Sequence, residues 1–168
     1  MMEHAGRAIG FAPVYDEKSV VLILGSFPSV KSRKEGFYYG NPQNRFWRML
    51  ASFFGEELPK SIPEKESFLR RNRVALWDMI ASCEIVGSAD ASIKGEETVD
   101  VSTILGHAPI RCVLCNGTKS HELLEKGHPE LLPITKKMPS TSPANPRYRE
   151  EIWHAALREV FPASAPIG

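Results

Sequence analysis

The chain has 168 residues, 42% of them apolar and 24% charged, with 13 prolines and 12 glycines, the profile of one ordinary compact soluble domain. No run reaches the roughly 18 consecutive apolar residues that a membrane span needs, and residues 1–20 hold no continuous apolar core of the signal-peptide kind, so a cytosolic (cytoplasmic) protein is expected. The 21 basic and 20 acidic residues leave a net charge of +1, which by itself argues for no polyanionic partner.

The first buried element is the run Val20-Val21-Leu22-Ile23-Leu24, bounded by Gly25. It is continuous rather than alternating, as a strand covered on both faces should be. Asn41 or Asn44 can cap the next element, a helix with Pro42 in its first turn. Phe46, Met49, Leu50 and Phe53 repeat there at helical spacing, and Gly55 can end it. A second helix is expected over residues 63–71. Val74-Ala75-Leu76-Trp77 is a second buried strand, and residues 98–105 fit a short third helix. Cys112-Val113-Leu114-Cys115 is a third strand, followed by a helix over 118–126 that Gly127 stops. Residues 131–138 contain Pro133 and two lysines, so any strand there is an edge strand. A last helix fits 146–160, with Tyr148, Ile152, Ala155 or Ala156, and Val160 facing inward and Pro162 ending it. Strands alternating with helices imply an α/β fold with a mostly parallel sheet covered on both faces.

Cys83, Cys112 and Cys115 are odd in number, and the last two sit inside an apolar run, so they read as small core residues and not as a disulfide framework. One C-x-x-C pair leaves a redox role open but supplies too few ligands for a structural metal. His4, His107, His121, His128 and His154 are scattered outside the strand-end segments and suggest neither a metal site nor a general base.

Charge is uneven along the chain. Residues 25–48 carry Lys31, Arg33, Lys34, Arg45 and Arg48 against Glu35 alone, and residues 136–149 carry Lys136, Lys137, Arg147 and Arg149 with no acid. The acids gather at Glu84, Asp90, Glu96, Glu97 and Asp100. Should the two basic stretches meet, they form a patch suited to a phosphate backbone. In a parallel sheet the ligand crevice lies beyond the carboxyl ends of the strands. That rule selects four loops, 25–44, 78–90, 116–120 and 139–146, and they include parts of both basic stretches.

The first loop packs Phe37, Tyr38 and Tyr39 with Asn41, Gln43 and Asn44, yet has no Asp, His or Cys. Neither of its strand-end serines, Ser26 and Ser29, has a local base to activate it, so nucleophilic catalysis is not indicated. The glycine spacings of a phosphate-cradling nucleotide loop are absent too. Aromatics with amides suit a planar heterocycle, stacked on a ring and read along its edge while cations hold phosphates. The loop Pro139-Ser140-Thr141-Ser142-Pro143-Ala144-Asn145-Pro146 is stiffened by its prolines and offers short hydroxyls and N–H groups that can approach a phosphate closely. Asn145 also fits a helix cap with Pro146 at the first helical position.

Gly25-Ser26-Phe27-Pro28-Ser29 after a buried strand, the run from Gly36 to Trp47 and Pro139-Ser140-Thr141-Ser142-Pro143 together resemble the uracil-DNA glycosylase superfamily. They resemble most its hypoxanthine-DNA (DNA-deoxyinosine) glycosylase group, its sixth family. Asn41-Pro42-Gln43-Asn44-Arg45-Phe46-Trp47 is similar also to a segment of the mismatch-specific uracil/thymine glycosylases. The resemblance runs from about residue 11 to residue 160. It implies a single three-layer α/β/α domain with a short, mostly parallel four-stranded sheet. It also implies a base-excision-repair enzyme that hydrolyses the N-glycosidic bond of a deaminated base flipped out of double-stranded DNA. No cofactor, metal or membrane is implied, and the protein is expected as a monomer.

Carried over by residue, the resemblance makes Asn41 the catalytic group. Phe27 stands where uracil-removing relatives keep Asp or Asn, and Met138 where many keep His. Tyr39 matches the aromatic that stacks on the extruded base, with Phe37 and Tyr38 competing. Asp78 stands where relatives read the base edge, and Asn116, a further amide at the crevice after the third strand, can donate to O6 of hypoxanthine. Ser26, Ser29, Ser140, Thr141 and Ser142 stand where the DNA backbone is held. Three alternatives stay open at this point: Asn41 as a helix cap alone, a mismatch-specific uracil or thymine enzyme, and a non-catalytic module that binds a nucleotide or damaged DNA.

Overall fold

The computed structural model describes residues 7–87 and 92–162. In chain order the elements are β1 (Arg7–Ile9), β2 (Val21–Gly25), α1 (Val30–Glu35), α2 (Phe46–Phe54), α3 (Ile62–Arg71), β3 (Val74–Asp78) and β4 (Ile80–Glu84). There follow β5 (Lys94–Thr98), α4 (Ser102–Leu105), β6 (Cys112–Asn116), α5 (Thr118–Gly127), a 3-10 turn (Pro129–Ile134), β7 (Thr135–Met138) and α6 (Glu150–Val160).

The central sheet is parallel and four-stranded, in the order β3-β2-β6-β7. Alternate residues of each strand enter different cores. Val21 and Ile23 of β2, Leu76 of β3 and Leu114 of β6 pack with Phe46, Met49, Phe68 and Trp153 of α2, α3 and α6. Leu22 and Leu24, Ala75 and Val113 pack on the other face with Ile104 of α4, Leu123 and Leu124 of α5, and Ile80 and Cys83 of β4. Both faces being covered is the reason these strands read as unbroken apolar runs. The expected three-layer α/β/α arrangement is what the structure has, with β7 on the sheet edge.

Local chemistry explains the helix ends. Gly55 closes α2 in the left-handed region at φ 67°, a conformation cheap only without a Cβ. Ser61 and Glu64 form a reciprocal capping box at the start of α3.

Several expectations need correction. Pro133 belongs to the 3-10 turn, so the edge strand is shortened to its last four residues. Residues 98–105 divide between the end of β5 and the one-turn α4. Gly127 is the last residue of α5 and does not stop it from outside. The last helix starts at Glu150, so Asn145 caps no helix; its buried residues are Trp153, Ala156, Leu157 and Val160, whereas Ile152 is 41% exposed. The helix α1 and the small antiparallel sheet β1-β4-β5 lie where only loops were expected. Asp90 falls outside the described residues.

Parallel register brings the strand ends to one edge of the molecule. Gly25 stands beside Asp78, and Asn116 beside Met138. Of the four loops expected there, those after β2 and β7 wall the site, whereas β3 and β6 contribute only Asp78 and Asn116, and residues 80–84 of the expected 78–90 loop form β4.

Candidate active site

One cavity of about 690 Å³ opens at that edge, within the range of ordinary ligand pockets. Its floor and one wall include Phe27, Tyr39, Asn41, Asp78 and Asn116. Ser26 and Ser29 line it from the end of β2, and Ser140, Thr141 and Ser142 from the end of β7. All the residues selected from the sequence are therefore together, though not all with the freedom expected of them.

Three aromatics competed for the stacking position, and burial separates them. Phe37 is 6% exposed and Tyr38 1%, and the Tyr38 hydroxyl donates to the Phe11 and Ala12 carbonyls at 3.3 and 2.8 Å. Burial, and then the nearby Asp78 charge, push the Tyr38 phenol far above its ordinary pKa, so it stays neutral. Tyr39 is only half-buried and lines the cavity. Phe46 stacks on its ring at 4.2 Å between centroids and holds it at the cavity. Tyr39 sits at φ 53°, a conformation uncommon for a residue with a side chain.

Asn41 opens a tight turn. Its Oδ1 accepts the Gln43 N–H at 2.9 Å and its carbonyl accepts the Asn44 N–H at 2.9 Å. The cap position of α2 is Arg45, which makes no side-chain cap bond, so neither Asn41 nor Asn44 is the cap and Pro42 lies before the helix, outside its first turn. Asn44 Oδ1 accepts the Phe46 N–H at 2.9 Å from the residue before the cap. Asn41 thus does not cap the helix, and it keeps a second lone pair on Oδ1 and its amide N–H groups beside the cavity.

Asp78 is 4% exposed and is the only carboxyl group among the described residues lining the cavity. A strand follows it, so it caps no helix. Gly25 makes room for this arrangement: a Cβ there would overlap Asp78 Oδ1 and lie 2.8 Å from the Tyr39 hydroxyl. The carboxylate and the phenol hydroxyl therefore converge above a residue with no side chain.

Asn116 has a more demanding structural task than the sequence indicated. Its Nδ2 donates to the Tyr39 hydroxyl at 3.1 Å and to Thr141 Oγ1 at 3.0 Å, while its Oδ1 accepts the Thr141 N–H at 3.0 Å. Both amide protons are committed, so what remains for a base is the second lone pair of Oδ1 and not a donor. Thr141 is fully buried in this clamp, and the expectation that it touches DNA is corrected accordingly. Ser29 is likewise engaged as the cap of α1, accepting the Ser32 N–H at 3.1 Å.

Ser140 and Ser142 remain at the surface of the cavity. Each hydroxyl oxygen accepts a backbone N–H, from Ser142 and Ala144 at 3.1 and 3.2 Å, so the group each has left to give is its own proton. Phe27 lines the cavity with the Arg33 guanidinium 5.6 Å from its ring centre.

The two basic stretches do meet, through Arg45, which bonds to the carbonyls of Thr141, Ser142 and Asn145. Lys136 pairs with Glu159 and Arg149 with Glu151. Lys31, Lys34, Lys137 and Arg147 are exposed and make no ion pair with any described residue. The three cysteines are buried and none is in a disulfide, and burial pushes the Cys115 thiol up to about 12, far from the thiolate a redox pair needs.

Known proteins resemble this chain over most of its length. The family model for the uracil DNA glycosylase superfamily matches residues 12–159. The chain belongs to that superfamily. It is 40% identical over 156 residues to a hypoxanthine DNA glycosylase of Methanosarcina acetivorans, covering 89% of this chain and 97% of that protein. It is 42% identical over 115 residues to a hypoxanthine DNA glycosylase of Methanosarcina barkeri, covering 67% and 73%. The solution NMR structure of a candidate uracil DNA glycosylase from Methanosarcina acetivorans superposes with a TM-score of 0.78 at 36% identity, over 92% of this chain and 99% of the other.

Within the superfamily framework Arg45 and the Asn116–Thr141 clamp are what sequence reasoning missed. From the sequence Arg45 reads only as one of the cations of the basic stretch 25–48, and so as a candidate phosphate contact. Nothing local to Arg45 indicates that its partners lie almost a hundred positions away.

Proposed function

We propose that the chain is a monofunctional DNA-deoxyinosine glycosylase, which hydrolyses the bond between hypoxanthine and deoxyribose after the nucleotide is flipped from a duplex. The observation that carries this reading is the convergence of Tyr39, Asn41 and Asp78 on one cavity large enough for a purine nucleoside. The names of the two archaeal relatives agree with it.

The chemistry follows from what the cavity lacks. Glycosidic cleavage passes through an oxocarbenium-like sugar: the C1′–N9 bond breaks, its electron pair leaves with the base as a purine anion, water then adds to C1′, and the proton that water loses neutralises the departed base. Bond breaking running ahead of attack makes a strong base unnecessary. The free lone pair on Asn41 Oδ1 can position the water, and the flanking phosphates stabilise the developing positive charge. The base stacks on the Tyr39 ring, which lines the cavity. Asp78 accepts the N1–H of hypoxanthine, a proton that adenine does not carry. Ser140 and Ser142 donate to phosphate oxygens. No lysine lines the cavity among the described residues, which favours hydrolysis over a Schiff base. Flipping costs a few kcal/mol and least at a mismatched pair, so I·T duplexes are the preferred substrate.

The test is base release from duplexes containing inosine opposite thymine, with U·G duplexes alongside. The wild-type protein should leave alkali-labile abasic sites at inosine. Asn41→Ala should slow single-turnover cleavage by on the order of a hundredfold or more, with little change in DNA affinity. Equal rates for the variant and the wild type would remove Asn41 from the mechanism. Faster excision of uracil than of hypoxanthine would move the chain to the mismatch-specific reading.

A further inference from the structure

Arg45 ends the turn that begins at Asn41 and immediately precedes Phe46, the residue under the Tyr39 ring. Its backbone N–H donates to the Thr141 carbonyl at 3.1 Å. Its side chain continues in the same direction: Nε donates to the Thr141 carbonyl at 3.4 Å, and Nη2 to the carbonyls of Ser142 and of Asn145, the latter at 2.9 Å. The guanidinium also lies 4.4 Å from the centre of the Tyr148 ring, a cation–π arrangement beneath the same loop.

The carbonyls of Ser142 and Asn145 both precede prolines, Pro143 and Pro146. Their peptide units carry no N–H, and the segment between β7 and α6 belongs to no sheet. Prolines restrict the shape of such a loop but do not fix where it stands. A planar fork with several donors in fixed directions can do so, whereas a flexible ammonium on a single stem cannot hold three carbonyls in one geometry.

We propose that Arg45 is a positioning residue: its guanidinium ties the loop that presents Ser140 and Ser142 to the turn that presents Asn41, and so sets the gap between the gripped DNA backbone and the amide that places the water. The inference rests on the glycosylase reading and deepens it. It also removes Arg45 from the phosphate contacts, since its charge already faces three carbonyls of the protein.

Arg45→Lys separates the two roles, because it keeps the charge and loses the fork. In single-turnover assays with I·T duplexes at saturating enzyme, Arg45→Lys should lose on the order of tenfold or more in base release, nearly as much as Arg45→Ala, since small misplacements of reacting groups cost rate steeply. The dependence of DNA affinity on salt should keep the wild-type slope in both variants. Rescue of the rate by Lys, or a slope reduced by about one phosphate in Arg45→Ala and restored in Arg45→Lys, would overturn the proposal. Amide hydrogen exchange of the DNA-free proteins provides a reading that needs no substrate. Residues 140–145 should exchange faster in Arg45→Lys while α2 and α6 keep their protection; unchanged loop exchange would also overturn it. A wild-type protein inactive on inosine would sink the glycosylase reading and leave the exchange result to decide on Arg45.

Discussion

The two walls of the cavity are rigid for opposite reasons. The wall after β2 is held largely by its own neighbours: Ser29 caps α1, the Gly40 N–H bonds to Ser32 Oγ at 2.9 Å, and Asn41 closes a turn on Gln43. The wall after β7 looks self-sufficient in sequence, with prolines at 139, 143 and 146, yet its fixed points are remote. Asn116 clamps Thr141, and Arg45 holds the carbonyls that follow. Proline limits the dihedral angles of a loop, but only a partner elsewhere in the fold gives it an address.

The comparison breaks most sharply at Gly25, where the local wall touches the sheet. Gly25→Ala would drive a Cβ into Asp78 Oδ1 and the Tyr39 hydroxyl at once, and neither can move without leaving its place in the cavity. The expected result is a loss of about 1–3 kcal/mol of stability from overpacking. Base release should fall by on the order of a hundredfold. Denaturant unfolding and single-turnover rates on the same preparation check both, and a variant with the wild-type rate would show that Asp78 and Tyr39 do not work as one floor.

The remote wall is challenged by Asn116→Ala. Thr141 is fully buried, so its N–H and hydroxyl would lose partners in a place where water does not replace them. A buried group left unsatisfied costs about 1–3 kcal/mol. Base release should fall by on the order of tenfold, less than for Gly25→Ala because Arg45 still holds the loop. A thermal midpoint and rate equal to those of the wild type would mean that the Arg45 contacts suffice alone.

What the sequence disclosed follows the same division between near and far. The strands β2, β3 and β6 were readable because burial on both faces makes a run apolar without interruption. From parallel strands the rule about their carboxyl ends picked the loops, which is how residues as distant as Asn41, Asp78 and Ser140 could be assigned to one site. The small sheet left no such trace. β1 has three residues, and β5 is Lys-Gly-Glu-Glu-Thr, mostly exposed and held by register with β4 rather than by a buried face. In α6 the apolar positions allow two stripes one residue apart, and only packing against α2 selects Trp153 over Ile152. The committed amide protons of Asn116 and the three carbonyls on Arg45 depend on distances across the fold, about which residue type and spacing are silent.

A region apart from both walls gives the smallest effect and the control for the others. Glu56, just beyond α2, pairs with Arg71 at the end of α3 and accepts from Asn72 Nδ2 at 2.9 Å. The Arg71 hydrogen bond, ahead of the opposing effect of burial, holds the Glu56 carboxyl below its ordinary range. A carboxylate depressed in the folded state contributes stability that is present above its unfolded pKa and is lost as the pH falls through the lower folded value. The Arg71 side chain is half exposed, so solvent screens the pair and its worth is under about 1 kcal/mol. Glu56→Gln should therefore lower stability slightly at neutral pH, with the difference from wild type closing below roughly pH 4. Base release should not change, because no atom of this pair reaches the cavity. Unfolding curves at several pH values measure the first effect. A loss of activity in Glu56→Gln would mean that strain travels from α3 to the Asn41 turn, and that the first wall is less self-contained than its short hydrogen-bond loops indicate.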